Sequence, residues 1–281
     1  MSLLDAAEEA ALIEAVRRTA AAEITPLFRA LGAGQVGSKS APDDLVTVAD
    51  TAAEAALTAA VDEILPTAQV IGEEAVSANP AILAKAGAPG LTVVIDPIDG
   101  TWNYAHGLAV YGVIVAVLRD GQTIFSLLYD PTGDDWVIAR AGGGAWFGGA
   151  ERPPERISVA DDPGAAAHSF GFVALNLFSK PDQALIARTL PQFLRTQSLR
   201  CSCHEYRQQA QGHVAFGLNG ALMPWDHAAG VLALREAGGV ARLLDGRAYA
   251  PTLHEGLLLT AVSERLWHEL ADLWEGLFPQ A

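Results

Sequence analysis

Cysteine is nearly absent from this sequence: two in 281 residues, Cys201 and Cys203, separated by one position. A disulfide framework is thereby excluded in practice, and a reducing cytoplasm is the compartment that fits. Positive charge is also scarce, with 18 Lys and Arg against 33 Asp and Glu and a formal net charge of -15. A nucleic-acid binder draws its affinity from cations that neutralise phosphates, so this balance argues against one. It also sets a problem for any anionic small molecule, which the overall field repels unless a bound divalent cation reverses that field locally. Long apolar runs are missing too. Nothing approaches the roughly 18 residues that a membrane-spanning helix needs, and the longest candidate, Gly112 to Leu118, reads as a buried strand. The N-terminal stretch carries Asp5, Glu8 and Glu9 where a secretory signal would need positive charge.

What is present reads as a folded α/β chain. Hydrophobic residues make up 51% of it, enough for one large domain or two intimately packed halves. Residues 3–31 have the spacing of an Ala-rich amphipathic helix ended by the glycines of LGAGQVG, and a second helix is expected over 47–64, stopped by Pro66. LTVVI (91–95) is continuous and β-branched, the pattern of a strand covered on both faces. Asp120–Gly121 between two β-rich runs predicts a hairpin with a type I′ turn. Beyond about residue 155, short strands (167–173, 196–200, 213–218, 240–244, 257–262) alternate with helices (180–194, 204–211, 227–237 and the stretch after Ser263). GGGAWFGGAERPPE (142–155) is the one candidate boundary, read as a loop between an N-terminal half, 1–150, and a C-terminal half, 151–281.

Asp96 and Asp99 fall directly after the buried strand, in Asp96-Pro97-Ile98-Asp99-Gly100-Thr101. Pro97 fixes its own φ and pushes Asp96 away from helical geometry, so a sharp turn is expected here. Two carboxylates converging across such a turn repel each other unless a cation lies between them. Oxygen ligands without Cys or a His pair select Mg²⁺ or Mn²⁺ over zinc. Gly100 and Thr101 open what reads as a helix, where free amides make a phosphate site. A plainer alternative exists for each residue. An isolated D-P-x-D can be an Asx-turn that only caps backbone. Asp226, ahead of HAAGVLALREAGG, can be only an N-cap, and Asp50, three residues after Thr47, only a first-turn acid. Glu73 alone is a solvated loop acid and Lys39 a surface lysine. His106 and His227 have no second ligand at metal spacing, which makes both structural.

DPIDGTWNYAHG (96–107) resembles the first signature of the inositol monophosphatase family, and WDHAAG (225–230) resembles the second. Gly72-Glu73-Glu74 is similar to the family's upstream acidic motif, and KSAPDDLVTVAD (39–50) to its lysine-bearing loop and helix start. The resemblance implies a layered αβαβα sandwich like that of fructose-1,6-bisphosphatase, usually a homodimer. It implies a Mg²⁺-dependent, Li⁺-sensitive phosphomonoesterase that acts on a small phosphorylated metabolite through water activated at two or three metal ions, with Mn²⁺ as a substitute. Glu73, Asp96 and the Ile98 carbonyl would hold one ion. Asp96 would bridge to a second shared with Asp99 and Asp226, and a weaker third would lie near Glu73. Thr101 and Asp50 would orient and deprotonate the water, and the amides of Gly100 and Thr101 would hold the phosphate.

The pocket departs from the family pattern. RCSCHEY (200–206) stands where the family carries a small-residue segment, which puts Ser202 at the pocket wall. Around 218–220, where inositol-specific members present an acid to the sugar hydroxyls, this chain has Asn219. Inositol phosphate is therefore one candidate beside other polyol phosphates, histidinol phosphate, fructose 1,6-bisphosphate and 3′-phosphoadenosine 5′-phosphate. Cys201, Cys203 and His204 suggest zinc, but tetrahedral zinc wants a fourth ligand and no second cluster exists. A haloacid-dehalogenase-type phosphatase needs a nucleophilic Asp two positions before the second Asp, and Pro97 occupies that place. A non-catalytic homologue would have lost a metal carboxylate or Thr101, and all are present.

Overall fold

The computed structural model describes residues 4–277; Leu3, the start of the first expected helix, lies outside them. Helix α1 (Ala6–Thr19) opens on a capping box between Asp5 and Glu8. It does not run to residue 31 as expected. The backbone widens into a π turn over Ala20–Ile24 and tightens into a 3₁₀ turn over Thr25–Leu27. Pro26 explains the change, because it has no N–H to continue the helical ladder and its ring crowds the preceding turn. A short hairpin of β1 (Val36–Ser38) and β2 (Leu45–Thr47) leads into α2 (Val48–Ile64), near the expected bounds. Then come β3 (Gln69–Gly72), α3 (Glu73–Ala78), β4 (Leu91–Asp99) and α4 (Thr101–Ala105). An antiparallel run follows: β5 (Gly112–Arg119), β6 (Gln122–Asp130), β7 (Asp135–Arg140), β8 (Gly144–Gly149) and β9 (Arg152–Ile157). Asp120 and Gly121, between β5 and β6, both have positive φ, 51° and 77°, as the expected turn type requires.

Strands β3 to β9 form one seven-stranded sheet in sequence order, with only the β3–β4 pair parallel. The expected loop at 142–155 is instead the last hairpin of this sheet. Its outer strand carries Pro153 and Pro154, which remove donors from the exposed edge and discourage further pairing. The second half contributes β10 (Phe170–Val173), α5 (Lys180–Thr189), β11 (Arg195–Gln197), α6 (Ser202–Ala210), β12 (Phe216–Asn219), α7 (Pro224–Glu236), β13 (Val240–Leu243), β14 (Leu258–Ala261) and α8 (Glu264–Leu273). Its five strands pair in the order β11-β10-β12-β14-β13.

Side-chain parity sets the layers. Val93, Ile95, Val113, Val115 and Val117 point to α1 and α2, where Leu12, Val16, Leu57 and Val61 meet them. Val94, Ile114, Ala116 and Leu118 point the other way, to Tyr206 and Ala210 of α6 and Val231 and Leu234 of α7. The same two helices cover the five-stranded sheet through Ala241, Leu243 and Leu258. Phe216, Leu218 and Leu259 pack outward against Ile186 of α5 and Leu266, Trp267 and Leu270 of α8. The result is an αβαβα sandwich, as the resemblance implied. A strand buried on both faces needs a continuous apolar run, which is why LTVVI does not alternate. No helix of the described residues is long and apolar enough to cross a membrane.

Candidate active site

The expected sharp turn at Pro97 is a bulge within a longer strand. Strand β4 continues to Asp99, and its register against β5 shifts between Asp96 and Asp99. On its other side β3 stops at the Gly72–Ile95 pair, so Pro97 leaves no ladder bond unmade there. The bulge re-aims side chains, as bulges beside functional sites commonly do. Gly100 then takes a left-handed φ of 85°. A Cβ there would lie 2.9 Å from the Val110 carbonyl oxygen and 3.2 Å from Cβ of Cys201. Only glycine fits this turn into α4.

Around the end of β4 the N-termini of α2, α3, α6 and α7 converge, and each presents an acid or an amide to the centre. Asp99 and Asp96 are buried, and Asp226, in the first turn of α7, is half-buried. Their carboxylate oxygens lie within 4.8 Å of one another. Asp96 Oδ1 is buried without any hydrogen-bond partner. An ionisable oxygen left in that condition costs several kcal/mol unless a ligand fills the gap. Burial raises the pKa of Asp96 well above the carboxylate range, and the charges of Glu73, Asp99 and Asp226 raise it further. Burial also raises Asp226, with Asp99 and Glu73 adding to it. Asp99 is pushed up only to about 6. Burial is opposed there by the first turn of α6: the Cys203 amide donates to Asp99 Oδ2 at 2.5 Å and the Cys201 thiol at 3.1 Å. A helix N-terminus is where such a carboxylate is best accommodated. A buried oxygen cluster with one unpartnered atom and no thiolate ligand fits a hard divalent cation.

Glu73 opens α3 beside this group and is held from outside. Lys39 donates to Glu73 Oε1 at 2.7 Å and to Glu74 Oε1 at 2.6 Å. Burial disfavours the Lys39 charge, yet the two carboxylates hold its pKa above the usual value. Lys39 is therefore not a plain surface lysine. Asp50 serves both readings at once. Its Oδ2 completes the capping box of α2 by accepting from the Thr47 amide at 2.8 Å and the Thr47 hydroxyl at 2.6 Å. Its Oδ1 lies 3.1 Å from the Thr101 hydroxyl, which is also 2.9 Å from the Ile98 carbonyl oxygen. Burial raises the Asp50 pKa to about 6.

Two connected cavities meet here. The smaller, about 180 Å³, is lined by Glu73, Asp96, Ile98, Asp99, Gly100, Thr101 and Asp226. The larger, about 720 Å³, adds Ser202, Glu205 and Asn219. Ser202 and Asn219 thus reach the pocket, and Asn219 Oδ1 accepts a long bond from the Ala221 amide at 3.4 Å. Cys201 faces Asp99, the Cys203 thiol faces the Tyr129 carbonyl and His204 faces the Tyr111 carbonyl, so these three do not converge as zinc ligands. His227 is buried between the Tyr206 hydroxyl and the Ala221 carbonyl, and His106 stacks on Trp102. These are structural contacts, although His227 also lines the larger cavity.

Sequence reading missed Glu54. It accepts from the amides of Glu74 and Ala75 at 2.7 and 2.8 Å and so caps the short helix that carries Glu73. A Cβ on Gly72 would stand 2.2 Å from its carboxyl carbon. The signal was available, since Asp50, Glu54, Leu57 and Val61 fall on one helical face and a lone Glu within it needs a partner.

The inositol monophosphatase family model matches residues 5–275. The inositol-1-monophosphatase of Mycobacterium leprae is 31% identical over 76% of this chain and 73% of its own length. The fructose-1,6-bisphosphatase/inositol-1-monophosphatase of Thermotoga maritima is 25% identical over 75% of this chain and 76% of its own. Among solved structures, the extragenic suppressor protein suhB of Bartonella henselae superposes with a TM-score of 0.80 at 19% identity, covering 96% of this chain and 99% of that one. The chain belongs to the inositol monophosphatase family of phosphoric monoester hydrolases.

Proposed function

We propose that this protein hydrolyses a small phosphorylated metabolite by direct attack of water, with Mg²⁺ as its resident cation. The observation that carries the reading is the partnerless, buried Asp96 Oδ1 inside a triad of carboxylates. Glu73, Asp96, Asp99, Asp226 and the Ile98 carbonyl are the residues that would hold Mg²⁺, and Mn²⁺ suits the same oxygen set. Bound there, a divalent ion supplies charge neutralisation for an anionic ester and lowers the pKa of water.

The chain's own residues do the rest. The amides of Gly100 and Thr101, at the start of α4, hold the phosphoryl oxygens. Thr101 has one hydroxyl proton and two acceptors within reach. Were the Ile98 carbonyl taken up by the cation, Asp50 would be its sole acceptor, and the hydroxyl's lone pair would be left to orient a water. Asp50 takes the proton along this path, and a pKa of about 6 suits a base working near neutral pH. Ser202 and Asn219 line the space for the organic half. The activities of the two relatives named above support inositol phosphate and fructose 1,6-bisphosphate as first compounds to try. Family resemblance also supports a homodimer and inhibition by Li⁺, and two free, buried cysteines support a cytoplasmic location.

The test is phosphate release from a panel of inositol 1-phosphate, fructose 1,6-bisphosphate, histidinol phosphate and 3′-phosphoadenosine 5′-phosphate, with Mg²⁺ and after chelation. Turnover that chelation abolishes and Mg²⁺ restores is expected. Full turnover in metal-free enzyme would sink the reading.

A further inference from the structure

We propose that Arg200 determines specificity by binding a second anionic group of the substrate, a phosphate or a carboxylate, at the rim between the two cavities. The inference rests on the phosphatase reading and deepens it. Arg200 lines both cavities. The other Lys or Arg lining either is Lys39, which Glu73 and Glu74 already neutralise. The walls otherwise carry Asp43, Asp44, Glu73, Asp99, Glu205 and Asp226, so the rim needs a cation if it is to hold an anion far from the carboxylate triad.

The position is built rather than incidental. Arg200 has a left-handed φ of 53°. That region costs a residue with a Cβ about 1–2 kcal/mol, and glycine is the unstrained choice there. Strain retained at a cavity rim points to use of the side chain. Neighbouring groups hold the turn. The Arg200 amide donates to Ser198 Oγ at 3.1 Å, and buried Glu205 accepts from the Ser198 hydroxyl at 3.2 Å and the Leu199 amide at 2.7 Å. Asn103 Nδ2 pins the Leu199 carbonyl at 2.8 Å.

The guanidinium stacks 4.4 Å from the Trp102 ring, and Trp102 itself stacks on His106. Its ion partner, Asp43, is 3.6 Å away and 60% exposed, too distant for a hydrogen bond. A planar fork fixed on an aromatic face, with its donors unspent, suits bidentate capture of phosphate or carboxylate. At 37% exposure it lies nearer solvent than Asp96 and Asp99, which are buried. It also lines the larger cavity, where the substrate's organic half has room to present a second anion.

The experiment compares kcat/KM for fructose 1,6-bisphosphate and fructose 1-phosphate in Mg²⁺-loaded wild type, Arg200→Ala, Arg200→Gly and Arg200→Lys. Wild type should prefer the bisphosphate. That preference should fall at least about 10-fold in Arg200→Ala and Arg200→Gly, mainly through KM, the size a lost charge-assisted hydrogen bond gives. Arg200→Lys should recover part of it. Arg200→Gly suits the backbone conformation, so lost preference in that variant cannot be put down to misfolding. Wild-type turnover with an unchanged ratio in Arg200→Ala would overturn the role of Arg200 alone. Release from inositol 1-phosphate, histidinol phosphate or 3′-phosphoadenosine 5′-phosphate but from neither sugar phosphate would overturn this proposal alone, and no release from any of the five would overturn the phosphatase reading with it.

Discussion

Replacing Asp96 by Asn separates a metal site from a structural acid cluster, because the two make opposite predictions for stability. The triad's oxygens lie within 4.8 Å of each other. At an effective dielectric of about 20, two full charges at that distance repel by roughly 3 kcal/mol. The metal-free protein relieves part of this by keeping carboxyls protonated, as the raised pKa values of Asp96 and Asp226 indicate. Asn at position 96 cannot ionise and spares the fold that cost, which should stabilise the apoprotein by about 1–3 kcal/mol near neutral pH, less than the full pair energy. Unfolding entropy of about 2.1 cal/mol/K per residue converts 1 kcal/mol to roughly 2 °C for a chain of this size. The Asp96→Asn apoprotein should melt about 2–5 °C above wild type on that scale. Wild type should gain about 5 °C with Mg²⁺ at 100-fold over its dissociation constant, from a linkage term of about 2.7 kcal/mol. The variant should lose that shift and its turnover together. The assay is thermal denaturation with chelator and across a Mg²⁺ series, beside phosphate release. An apoprotein variant that melts below wild type, or that keeps the Mg²⁺ shift, would refute the electrostatic argument.

Three further outcomes follow from single contacts. Thr101→Ala should lower kcat by about 100-fold while leaving the Mg²⁺ thermal shift in place, since its hydroxyl aims a proton at Asp50 rather than holding the cluster; loss of the shift would make Thr101 part of the cation site. Gly72→Ala should destabilise the protein by about 2–4 kcal/mol and weaken Mg²⁺ binding, because the new Cβ evicts Glu54 and uncaps the helix that carries Glu73; a wild-type melting point would contradict it. Glu205 has its pKa pushed up by burial to about 7 from 4.5, although the Leu199 amide and Ser198 hydroxyl oppose the shift. The folded state therefore binds more protons than the unfolded chain between those values, and stability falls as pH rises through that window. Glu205→Gln removes the slope and should gain on wild type by up to about 3 kcal/mol from pH 4.5 to 7 in denaturant melts, whereas parallel profiles would disprove it.

The sequence by itself determined the elements whose causes are local. Apolar continuity marked β4, an Asp-Gly pair between β-rich runs marked the turn at 120–121, and Thr47 with an acid three residues on marked the start of α2. The motif set also named the residues that meet at the carboxylate centre, together with the Gly100 turn beside them. Other features were decided only by tertiary structure, because they depend on partners far along the chain. That Pro97 sits in a bulge rather than a turn follows from where β3 ends and β5 continues, and that 142–155 is a hairpin follows from an open sheet edge waiting for it. Asp226 reaches Asp96 only because α7 packs between two sheets with its N-terminus at the end of β4. Lys39 and Glu54 acquire their roles the same way, each by meeting α3 across a gap in sequence. Capping and periodicity are short-range and can be read from neighbouring letters. A convergence of helix ends is set by packing over the whole core, where no local pattern records which end will face which.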